Sequence, residues 1–173
     1  MNEIGGALRR LYEAEEELAD EYVKAGERLA AEHEVWYGCK QFARQCHARA
    51  DEVRRLAARY DQELSPADDA EVGETTTASL RHKLAELLGR RPESGLLLLR
   101  SLRQLYLQAQ EVSWHWIVAG QIAQATRDAE LLAVVDRLHR EALTQIKWLK
   151  NQTKVAAPQA IVAGTPLEQL PIA

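Results

Sequence analysis

Glu111 and His115 stand four residues apart, flanked by Trp114 and Trp116, and Asp136 and His139 stand three apart beside Val135 and Leu138. Glu15 follows Leu11 by four and precedes Leu18 by three, and His47 adjoins Cys46 with Asp51 four further on. Spacings of three and four bring side chains onto one helix face, so these ionisable groups fall on or beside apolar stripes. Two chemistries suit such a set. Carboxylate oxygens and neutral imidazole nitrogens together can ligate a transition metal. The same groups also serve as hydrogen-bond and ion-pair partners inside a core. Cys39 and Cys46, seven apart, would lie about 10 Å apart along a helix axis, too far to bond each other. They read as reduced, buried thiols of a cytoplasmic protein.

Elements long enough to position these groups are written in the apolar spacing. The first stripe is Ile4, Leu8, Leu11, Leu18, Tyr22, Ala25 and Leu29, which predicts a helix from Glu3 to Ala31. The second is Val35, Cys39, Phe42, Cys46, Ala50, Val53 and Leu56, a helix from Val35 to Tyr60. The short gap around His33 makes the two an antiparallel hairpin. Residues 61–94 change character, with polar turn material around Pro66 and Gly73 and a short helix expected from Ala78 to Leu88, which carries His82. A third long helix runs from about Glu93 to Ala125 on the stripe Leu98, Leu102, Leu105, Ala109, Val112, Trp116, Ala119 and Ala123. It carries a second stripe, Leu99, Leu107, Trp114, Val118 and Ile122, which predicts a homodimer face on this helix. The fourth long helix starts at Asp128, a good N-cap, and runs to about Lys154 on Leu131, Val135, Leu138, Ala142, Ile146 and Leu149. The expected fold is therefore all-α: a four-helix bundle over residues 1–155, built as two antiparallel hairpins joined by a long crossover with a short helix. Residues 156–173 hold three prolines and scattered aliphatics and are expected to be an extended tail.

A four-helix bundle with one long connection, a carboxylate on its first helix and a carboxylate–His pair on its last resembles the ferritin-like carboxylate proteins. The resemblance covers about residues 3–154. It assigns Glu15 to the first-helix carboxylate, Arg44-x-x-His47 to the second-helix motif, Glu111 to the third-helix carboxylate and Asp136-x-x-His139 to the last. It implies iron or manganese binding, with oxidase or storage activity, through Glu15, His47, Glu111, Asp136 and His139; Asp51 or His115 would fill in. The departure is Arg44, a permanent cation where the family offers a carboxylate. Paired with Glu15 or Glu111, it would stand in for the metal electrostatically. That departure implies a degenerate site, no cofactor, and a non-enzymatic structural or interaction module.

The remaining sequence narrows the partners. Lys and Arg number 22 against 26 Asp and Glu, a net charge of −4, which argues against sequence-independent nucleic-acid binding. No apolar run approaches the ~20 residues of a membrane span, and the first residues lack the pattern of a secretory leader. There is no phosphate-binding glycine loop, nucleophile elbow or HExxH. The tail's Leu167, Leu170 and Ile172 suit an arm against the bundle or a second subunit, or a docking peptide for a protein partner.

Overall fold

A computed structural model describes residues 3–65 and 92–164. The chain forms four helices among the described residues and no strand: α1 (Glu3–Arg28), α2 (His33–Ala58), α3 (Pro92–Ala125) and α4 (Ala129–Gly164). The all-α expectation holds. The short helix expected at Ala78–Leu88, with His82, lies outside the described residues, as do residues 165–173.

The helices pack as two hairpins, α1 on α2 and α3 on α4, with α1 also lying along α3. Apolar stripes at three- and four-residue spacing drive this, because each helix has one face to remove from water. Leu8, Leu11, Leu18 and Tyr22 of α1 meet Cys39, Cys46, Ala50 and Val53 of α2, and Leu102, Leu105, Trp116, Leu131, Leu138 and Leu149 fill the other half of a single core. Side-chain pairs set the register between α2 and α4. Glu34 meets Gln152, Glu52 meets Arg137 and Arg59 meets Glu130, so the two helices run antiparallel.

Caps fix the ends. After α3, Arg127 adopts a left-handed backbone (φ 57°), and the amides of Arg127 and Asp128 return to the carbonyls of Gln124 and Ala123, the usual way to stop a helix. Asp128 then accepts the Leu131 amide at 2.9 Å as the N-cap of α4, as its position in the sequence predicts. The Tyr60 hydroxyl donates to the other oxygen of Asp128. The start of α1, the end of α2 and the α3–α4 turn thus share one pole. Glu34, Gln152, Gly95 and Ala160 mark the opposite pole, where α3 begins and α4 finishes.

Two close approaches shape the α2–α4 and α3–α4 contacts. A Cβ at Gly38 would collide with the Trp148 ring, so the missing side chain is what lets the indole lie across α2 and meet Phe42 edge-on at 5.1 Å. A Cβ at Gly95 would lie 2.9 Å from the Cβ of Ala160. That second contact corrects the expected extended tail from Ala156: α4 continues as helix through Pro158 to Gly164. Ala156 and Ala160 are buried, prolonging the stripe of α4 against the first turns of α3. Pro158 gives up one backbone bond, and packing against α3 offsets the loss.

Candidate functional site

Each of the four helices contributes one side chain to a polar cluster at the centre of the core: Glu15 from α1, Arg49 from α2, Trp116 from α3 and Gln145 from α4. Glu15 is 0% exposed and Arg49 is 1% exposed. Arg49 Nε donates to Glu15 Oε1 at 2.7 Å and Nη2 to Oε2 at 2.8 Å, the two-pronged pairing for which a guanidinium is shaped. The Trp116 indole Nε1 donates to the same Oε1 at 2.7 Å. With its amide oxygen turned to the guanidinium, Gln145 accepts from Nη2 at 2.8 Å and Nη1 at 3.1 Å. Nη2 also reaches the Cys46 sulfur at 3.2 Å.

The electrostatics follow from burial. Burial works against the charge on Arg49, but the bond and field of Glu15 more than offset it and hold the guanidinium above its ordinary range. Burial, reinforced by Glu15, pushes the Cys46 thiol up to about 12, and burial alone raises Cys39 to about 12. Both thiols are free and buried, as the sequence predicts, and a thiol that stays protonated is a poor nucleophile and a poor metal ligand. Burial also raises Tyr22, facing Cys46 and Cys39, well above its ordinary value. Its hydroxyl has no hydrogen-bond partner among the described residues.

Each sequence-predicted ligand has its own surroundings. Glu15 is interior, but Arg49 takes up its carboxylate. His47 is half-exposed and bonds Glu16 Oε1 at 3.2 Å; that bond raises its pKa above 6.5. Glu111 and Asp136 are exposed. His139 shares a 2.9 Å hydrogen bond with Ser113 across the α3–α4 contact, and burial lowers its pKa below 6.5. Asp51 is exposed and pairs with Arg54 at 2.9 Å, and the His115 ring meets Trp114 at 5.2 Å. No group of three or more His, Cys, Asp or Glu side chains gathers to hold a metal among the described residues.

The cation expected in the core also changes identity. Arg44 is exposed and stands on the outer face of α2, because a residue two beyond buried Phe42 is turned about 200° away from it. Arg49 is the cation that reaches Glu15. It stands three after Cys46 and four before Val53, so the seam spacing was the signal for it.

No protein-family model, curated protein or solved structure matches this chain. No helix among the described residues is long and apolar enough to cross a membrane.

Proposed function

We propose that this chain is a ferritin-like bundle whose metal position has been closed by an internal ion pair, and that it serves as a non-enzymatic structural or interaction module. The observation that carries this reading is the saturation of Glu15. Both carboxylate oxygens accept hydrogen bonds from Arg49, and Oε1 accepts a second from Trp116. A carboxylate so occupied has little left to offer a cation, and the adjacent guanidinium repels one. A buried ion pair adds little net stability over an apolar replacement. Its use lies in fixing which helix faces which, since one residue from each helix must meet at a single point. A module of this kind acts through its surface.

Metal uptake tests the reading. Protein purified without chelator and reconstituted anaerobically with Fe(II) or Mn(II) is expected to retain below about a tenth of an equivalent by elemental analysis. Retention of one or two equivalents, lost in Glu15→Ala, would overturn the reading in favour of an iron- or manganese-binding oxidase or storage protein.

A further inference from the structure

The outward face of α3 is unlike that of α1. On α1 the outward positions are Glu13, Glu17, Asp20, Lys24 and Glu27, all exposed. On α3 the outward row includes Leu96 at 66%, Leu107 at 48% and Trp114 at 59% exposed, with exposed Leu97 and Ile117, and with Arg100, Arg103, Gln104, Gln110 and Glu111 between them. Neither Arg103 nor Glu111 forms an ion pair among the described residues.

The order of these residues is self-complementary on reversal about Leu107. Turned end for end, Leu97 falls opposite Ile117, Arg100 opposite Trp114, Arg103 opposite Glu111 and Gln104 opposite Gln110, with Leu107 opposite itself. Each pairing is a favourable type: aliphatic with aliphatic, guanidinium over indole, cation with anion and amide with amide. A face that matches its own reverse is what a two-fold contact requires, since residue i meets j wherever j meets i. A partner of different sequence would need no such pattern.

We infer that α3 docks antiparallel on α3 of a second copy of this chain, with the two-fold axis at Leu107. The contact spans residues 97–117, about 30 Å of helix on each side. It deepens the interaction-module reading by naming the partner, and it rests on that reading only in kind: metal uptake would sink the module without altering subunit stoichiometry.

Charge reversal and a cross-link test the inference together. Sedimentation equilibrium at about 50 μM is expected to show a dimer. Arg103→Glu and Glu111→Arg, each of which sets like charges opposite at two symmetric places, should each weaken dimerisation by about tenfold or more. The double variant, which restores opposite charges, should recover to within about threefold of the wild type. Leu107→Cys should yield a covalent dimer with a short bis-maleimide, while the wild type, whose two thiols are buried, should not. A monomeric wild type, a dimer indifferent to both single reversals, a double variant as weak as the singles, or a Leu107→Cys protein that resists cross-linking would each overturn the inference.

Discussion

Glu15 and Arg49 carry opposite charges out of water with their hydrogen bonds complete, so each is safe only while the other is present. Glu15→Ala leaves a buried guanidinium facing a hole and should cost about 3–5 kcal/mol, whereas Glu15→Leu with Arg49→Met should return close to the wild type. Urea denaturation of the single and double variants checks this. A Glu15→Ala protein as stable as the wild type would mean that the two charges are not coupled. Two part-buried histidines, His47 and His139, act in opposite directions on pH. Glu16 raises His47 above 6.5, so the folded chain holds that proton more tightly than the unfolded one. Its contribution is complete below about pH 6.5 and is lost as pH rises through the folded value. Burial lowers His139 below 6.5, so its contribution is complete above about pH 6.5 and is lost as pH falls toward the folded value. His47→Gln should therefore flatten the alkaline side of a stability–pH curve and His139→Gln the acid side. Denaturation midpoints from pH 5 to 8 read both, and curves parallel to the wild type in either variant would contradict the assignment. At this scale Glu15 was legible, because it stands four after Leu11 and three before Leu18, in step with the buried stripe, whereas Glu13 and Glu17 fall off it. Its partner was not, since matching the ferritin-like pattern drew attention to Arg44, although the seam spacing pointed to Arg49.

Helix existence was the most legible feature, because stripes of six to eight apolar residues at steps of three, four or seven admit no other element. Helix ends were less so, being set by caps and by what lies alongside. Asp128 announced itself as an N-cap, whereas Arg127, a non-glycine residue in the left-handed region, gave no compositional cue. The end of α4 was misread because Pro158 looked like a stop. The signal that overrides it is pairing: a helix from Pro92 to Ala125 needs a neighbour of similar length, and α4 supplies 36 residues against 34. Pro158→Ala should consequently stabilise the chain by about 1–3 kcal/mol by restoring one backbone bond and removing the ring's clash. Calorimetry would register this as a rise of about 2–4 °C per kcal/mol. An unchanged melting temperature would mean that the chain leaves the helix before residue 158.

Over the whole molecule, the central cluster makes the two hairpins one cooperative unit. Glu15 and Arg49 belong to the first hairpin, Trp116 and Gln145 to the second, and neither pair is satisfied without the other. Unfolding followed by tryptophan fluorescence, with Trp116 fully buried, should coincide with unfolding followed by far-ultraviolet dichroism; separated midpoints would show that the hairpins come apart independently. The bundle's poles carry a further consequence. Glu3 begins α1 at the pole of the α3–α4 turn, since Gly5 lies against Tyr60 and Tyr60 bonds Asp128, while Gly164 finishes at the far pole. Tension applied between those two residues therefore runs lengthwise, parallel to every helix, and loads the interhelical contacts in shear. Stretching would have to slide whole apolar faces past one another at once instead of peeling them turn by turn, so the protein should resist a lengthwise pull far better than one that prises the hairpins apart from the side.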